Sequence, residues 1–218
     1  MMTVKDPVSG ISHLVGALLS IAALTVLVVL SAYYATAWHV VSFSIYGASM
    51  TLLYLASAAY HIFNLGEKGT RRLKKVDHVM IFMMIAGTYT PFCLIPLRGG
   101  WGWSIFGVVW GIAVLGIFFK LFFIHAPRVI STVIYIIMGW ISVVAIYPIV
   151  KNIPTGGVIW LVAGGLCYTI GAVVYATKKP NISKHVGFHE IWHFFVLGGS
   201  FCHFMTMILY VLWINPVK

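Results

Sequence analysis

Residues 13–36 read HLVGALLSIAALTVLVVLSAYYAT, and after His13 no charged side chain interrupts the run. As a helix, positions 14–36 cover about 34 Å, enough for the roughly 30 Å hydrocarbon core of a bilayer. A cleavable leader has an apolar core of about 7–15 residues. Although Ala35-Thr36-Ala37 faintly resembles a cleavage site, the run is long enough to be kept as a first membrane span. Six further apolar runs follow, at 40–63, 78–97, 102–124, 129–150, 156–177 and 190–214. Turn formers and charges separate them, as in Gly66-Glu67-Lys68-Gly69, Arg98-Gly99-Gly100, Asn152-Ile153-Pro154 and Lys179-Pro180-Asn181.

Composition agrees. Of 218 residues, 61% are hydrophobic and 8% charged, where a soluble domain carries about 25% charged residues. So few charges cannot cover a water-facing surface, and the short loops leave no room for a soluble module. The expected fold is an all-α membrane protein, a single domain over 1–218 formed by a seven-transmembrane-helix bundle. Gly107, Gly111, Gly164, Gly165 and Gly171 offer flat surfaces for close helix contact. Cys93, Cys167 and Cys202 fall in apolar runs at unrelated spacings and read as small core residues without a disulfide.

The net charge of +10 does not mark a nucleic-acid binder, because the basic residues sit in the loops between spans. With the amino terminus in the cytoplasm, eleven of the fourteen basic residues fall on the cytoplasmic side and only Arg98, Lys151 and Lys218 outside. The positive-inside rule therefore predicts a cytoplasmic amino terminus and an external carboxyl terminus. Lys120, near the end of the fourth run, is expected to snorkel to the interface. The loop Arg71-Arg72-Leu73-Lys74-Lys75 reads as a topology determinant rather than a headgroup site.

The same orientation gathers all four acidic residues, Asp6, Glu67, Asp77 and Glu190, on the cytoplasmic side. Seven of nine histidines join them: His13, His61, His78, His125, His185, His189 and His193. Ionisable groups in a membrane are costly and mark function. Ser57 and His61 close the second span four residues apart, Asp77-His78 opens the third, and His189 and His193 open the seventh four apart. An i,i+4 pair shares one helix face. Two imidazoles so placed, with His61 as a third, give the three-ligand, open-position pattern of a catalytic zinc site; iron, nickel and copper stay open. His203 lies about 15 Å further along its helix than His193, too deep for that ion, and reads as a buried, hydrogen-bonded histidine or a proton-relay member. His39 falls outside without a role. His13 and His78 are expected as supporting partners. The string His189-Glu190-Ile191-Trp192-His193 also fits HExxH, the metalloprotease motif in which the glutamate is the general base.

Together, DPVSGISHLVG (6–16), SAAYH (57–61), KKVDHVMIFMMIAGTYTPF (74–92), MGW (138–140) and HEIWHFFVLGGSFCHF (189–204) resemble the bacterial hemolysin III proteins. These belong with the progestin and adipoQ receptors and, more distantly, the alkaline ceramidases. The resemblance covers about Asp6 to Leu212. It implies a multi-pass protein of the bacterial inner membrane with zinc near the cytoplasmic face on His61, His189 and His193. Its motif serine and aspartate match Ser57 and Asp77. The family pattern has no fixed glutamate in the seventh span, which weakens the protease reading.

Ceramide hydrolases among these relatives suggest attack of activated water on a lipid amide or ester. Asp77 would accept the proton and Ser57 would bond the water or the developing oxyanion. Membrane lipids are the expected partners, one of them the substrate. Two other classes stay open: a sensor of membrane lipid state with structural zinc, and a lytic pore. A pore should carry polar groups at several depths, and the outer half is nearly bare of them.

Overall fold

Lipid offers the backbone no hydrogen-bond partners, so a span must satisfy its own N–H and C=O groups, and a helix does so. The computed structural model describes residues 5–123, 127–183 and 186–215. Its helices are α1 (Pro7–Tyr34), α2 (Ala37–Ile62), α3 (Gly66–Leu94), α4 (Gly100–Phe122), α5 (Arg128–Trp140), α6 (Ile146–Asn152), α7 (Thr155–Thr177) and α8 (Phe188–Leu209). A 3₁₀ turn, Ile141–Ala145, joins α5 to α6 within the fifth span, and a second, Val211–Trp213, extends α8. Seven segments are long and apolar enough to cross a membrane, and no strand occurs among the described residues.

The surface is inverted relative to a soluble protein. Leu18, Leu19, Leu115 and Val144 are each more than 60% exposed, facing what must be lipid. Inside lie Leu27, Phe43, Tyr46, Tyr54, Phe82, Met138 and Met207. Hydroxyls are buried at every depth, which the sequence reading of an outer half bare of polar groups did not register. Ser20, Ser31, Ser42, Ser49, Thr88 and Thr90 each donate to a carbonyl three or four residues back in their own helix. They therefore form no polar line through the bundle.

Three boundaries differ from expectation. α1 starts at Pro7, in the first helical turn where a missing N–H costs nothing, so His13 lies inside it. α3 starts at Gly66 rather than 78. Arg71-Arg72-Leu73-Lys74-Lys75 is thus helical, not a loop, and Asp77 lies about three turns into α3. Hydropathy locates the lipid-embedded stretch, whereas this extension is made by good helix formers and a Glu67–Arg71 ion pair at 2.8 Å, one turn apart. Lys75 Nζ then donates to the Leu121 carbonyl at the end of α4 (2.8 Å), pinning the two helix ends together.

The third difference is the broken fifth span. In a continuous helix the Ser142 N–H would bond the Met138 carbonyl. Instead the Tyr89 hydroxyl of α3 enters the ladder, accepting from Ser142 N at 2.9 Å and lying 3.0 and 2.5 Å from the Met138 and Gly139 carbonyl oxygens. A side chain inserted in this way breaks a helix.

Of the five glycines expected at contacts, Gly164 and Gly171 meet α8, where an added Cβ would press on His203 and on Phe195 and Trp192. Gly107, Gly111 and Gly165 have open space; a small-residue pattern does not reveal which face meets a neighbour. The tightest approach to backbone is at Gly102, where a Cβ would overlap the carbonyl oxygens of Cys93 and Leu97. Neither can swing aside as a side chain would. Gly102→Ala is therefore expected to cost about 3 kcal/mol, the upper end for overpacking, read as a fall in Tm of the detergent-purified protein. The cysteines are free, as expected, although only Cys93 is fully buried.

Candidate metal centre

His61 occupies the last turn of α2, while His189 and His193 occupy the first two turns of α8. Their ring centroids form a nearly equilateral triangle with sides of 4.9, 5.0 and 4.8 Å. Each offers a ligand nitrogen within 4.8 Å of the others, and the Nε2 atoms of His61 and His189 stand 3.1 Å apart. Two nitrogens about 2.0–2.1 Å from a tetrahedral ion stand about 3.3 Å apart, so this edge already has nearly the required length. His193 and His61 are buried, and His193 Nδ1 has no hydrogen-bond partner. The donor set fits a divalent metal ion.

Asp6 completes the arrangement. Its carboxylate accepts from His61 Nδ1 at 3.0 Å, and its backbone N–H donates to the His61 carbonyl at 2.9 Å. The first bond leaves the His61 Nε2 lone pair directed at His189. A carboxylate behind a ligating histidine orients the ring and raises its basicity. Asp6 occupies the N-cap position of α1 yet makes no side-chain cap bond there; its carboxylate serves α2 instead. The sequence reading gave Asp6 no role. His13 stacks on His193 with centroids 3.6 Å apart and planes 14° apart, and rests edge-on against Tyr54. It thereby packs face to face on one ring of the triangle. His125 and His185 lie outside the described residues.

Ser57 and Asp77 come together as well. Both are buried and line one cavity, with the Ser57 side chain placed where it favours the charged form of the Asp77 carboxyl. Asp77 stands outside the histidine triangle. It shares with His189 and His193 the wall of a cavity of about 580 Å³ that is lined mainly by apolar groups. Trp140, Val143, Val162 and Leu166 line this cavity and are also about half exposed. The cavity thus reaches the lipid-facing surface beside the broken fifth span and α7, where Trp140 Nε1 donates to Thr169 Oγ1 at 3.1 Å.

Glu190 is turned away from protease chemistry. One carboxylate oxygen accepts from the Gly187 N–H (2.9 Å) and the other from Ser9 Oγ (2.8 Å). It closes the amino terminus of α8 and ties α1 to it, so both oxygens are engaged. Glu190→Ala is expected to cost about 1 kcal/mol of stability, as loss of a cap does, while metal content and any hydrolysis persist. A thermal melt beside elemental analysis checks both.

Other residues depart from their expected places. Lys120 does not snorkel: it is 2% exposed and lines the cavity, because position along a helix fixes depth but not direction round the axis. His39, to which the sequence reading gave no role, has a structural one. It is buried in the first turn of α2, its Nδ1 3.0 Å from Thr36 Oγ1 and 3.4 Å from the Thr36 backbone nitrogen. His203 is buried and hydrogen-bonds the Leu161 carbonyl (3.3 Å), as expected.

The sequence has relatives among known proteins. The model of the Haemolysin-III related family matches residues 1–204. The chain is 42% identical over 212 residues to the hemolysin-3 homolog of Bacillus subtilis (strain 168), covering 96% of both chains. With hemolysin-3 of Bacillus cereus it shares 43% over 210 residues, covering 96% of this chain and 93% of the relative. The human monocyte to macrophage differentiation factor is 27% identical over 184 residues, covering 81% of this chain and 71% of that protein. Seven spans, a histidine cluster at one end and matches of this extent lead to one conclusion: the chain is a multi-pass bacterial membrane protein and belongs to the haemolysin III-related family.

Proposed function

We propose that this protein is a zinc-dependent hydrolase of lipid amides or esters, with the metal on His61, His189 and His193 and the site at the cytoplasmic end of the bundle. One observation carries the reading. Two ligands of the histidine triangle share an apolar cavity with a buried acid, Asp77, that belongs to no ligand set. The bound metal would supply Lewis-acid polarisation of a carbonyl and a water acidified to a pKa of about 7.

The chain's own groups supply the rest. Asp77 accepts a proton from the attacking water and returns it to the leaving nitrogen or oxygen. Ser57, beside Asp77 on the same cavity wall, positions that base and can also bond the water or the developing oxyanion. Asp6 fixes the His61 tautomer. The apolar wall takes an acyl chain, which enters from the bilayer beside Trp140. Three nitrogen ligands favour zinc over the oxygen-seeking magnesium and calcium.

The test is incubation of the purified protein with a panel of lipid amides and esters, with and without a chelator. Fatty acid should be released, lost on chelation and restored by zinc. If metal-loaded protein releases nothing from any member, the second reading takes over. That reading rests on the Asp6 clamp, through which a metal shared by α2 and α8 would also bind α1. Such a metal is a structural staple in a sensor of membrane lipid state.

A further inference from the structure

Lys120 is an ammonium group enclosed in a membrane protein, and a charge so placed is expensive unless paired. The chain has four acidic residues, and each is engaged elsewhere. Asp6 holds His61 and lies 3.5 Å from Lys5; Glu67 holds Arg71; Glu190 is occupied by Ser9 and Gly187; Asp77 stands with Ser57 on the cavity wall and pairs with no lysine. Among the described residues no carboxylate lies within ion-pair distance of Lys120. The side chain lines the cavity instead.

A second group at that end independently asks for a partner. Ser131 lines the same cavity, is 3% exposed, and its buried hydroxyl has no hydrogen-bond partner. Lys120 stands two residues before the end of α4 and Ser131 three after the start of α5, so both lie within about one helical turn of the same end of the bundle. Lys74, on the cationic start of α3, lines the cavity too. The rest of the wall is mostly apolar, running past Met84, Phe92 and Ile149.

We propose that Lys120 and Ser131 form an anion subsite in this cavity, and that it holds the phosphate or carboxylate head of an amphiphile whose acyl chain lies along the apolar wall. The ammonium supplies the charge-assisted bond and the hydroxyl a second donor; Lys74 adds positive potential at the mouth. This rests on the reading of the cavity as a lipid site and narrows its ligand class to anionic lipids, but it does not require turnover.

The experiment uses full-length Asp77→Asn protein in a neutral maltoside detergent, so that hydrolysis cannot consume the ligand. Tryptophan fluorescence is titrated with oleoyl glycerol phosphate, with neutral monooleoylglycerol and with inorganic phosphate. The phosphate-bearing lipid should bind at least about tenfold tighter than the neutral one, the scale of one charge-assisted hydrogen bond. Lys120→Met should abolish that preference while leaving neutral binding intact, Lys120→Arg should keep most of it, and Ser131→Ala should reduce it. Lys68→Met, on the exposed start of α3, should change nothing. A preference that survives both Lys120→Met and Ser131→Ala overturns the subsite, as does inorganic phosphate displacing the lipid at the lipid's own concentration. Should Lys120→Met fail to fold, Ser131→Ala alone decides. Tight anionic binding with no lipid cleaved by the wild type leaves the subsite standing and removes the hydrolase reading. Cleavage of neutral amides without anionic preference does the reverse.

Discussion

Replacing His189 with alanine is expected to take bound zinc from about one ion per chain to near none. His189 supplies the nitrogen 3.1 Å from that of His61, and without it the remaining pair, His61 and His193, cannot close around an ion as three ligands do. His203→Ala is the matched control, since His203 is another buried histidine of α8 outside the triangle. It should keep its metal. Asp6→Asn is the graded case: the ring it orients stays in place but loses its anionic partner, and affinity should fall about 10–100-fold. Elemental analysis and competition with a chromophoric chelator read all three. Equal metal content in His189→Ala and wild type would remove the triangle as the binding site.

The second large effect is expected at Asp77. Asp77→Asn keeps the shape of the side chain and an acceptor for the Ser57 hydroxyl, but an amide cannot take a proton from water. Turnover of a lipid substrate should fall about 10²–10⁴-fold, the usual contribution of a general base, with metal content unchanged. Ser57→Ala should fall less, because it removes a neighbour of the carboxylate without neutralising it. If Asp77→Asn turns over at the wild-type rate with metal bound, Asp77 is not the base and the hydrolytic scheme loses its proton acceptor.

The parts of this architecture that were legible in the sequence are those set by depth. Apolar run length located seven spans, and the positions of His61, His189 and His193 near span ends put them at one level before any contact was known. The i,i+4 spacing of the α8 pair further predicted a shared face, and their rings do meet. What escaped depends on direction round a helix axis or on partners far away in the chain. Lys120 was read as snorkelling because its depth allowed it, whereas its azimuth turns it inward. Asp6 reaches across 55 positions to His61, and no local pattern announces that. The break in the fifth span comes from Tyr89, 53 positions before Ser142. The helical start of α3 was missed because hydropathy scores solubility in lipid, not backbone conformation. Glu190 matched a protease motif in letters, yet its partners make it a helix cap.

The candidate centre predicts that imidazoles from α2 and α8 grip one divalent ion. Its most direct test is elemental analysis by mass spectrometry of wild-type protein extracted gently and without chelators, beside a His61→Ala/His189→Ala double variant of confirmed helicity. About one zinc per wild-type chain and none in the variant is the predicted result. Metal-free wild-type protein that also fails to take up added zinc, or a variant that retains its ion, would contradict it.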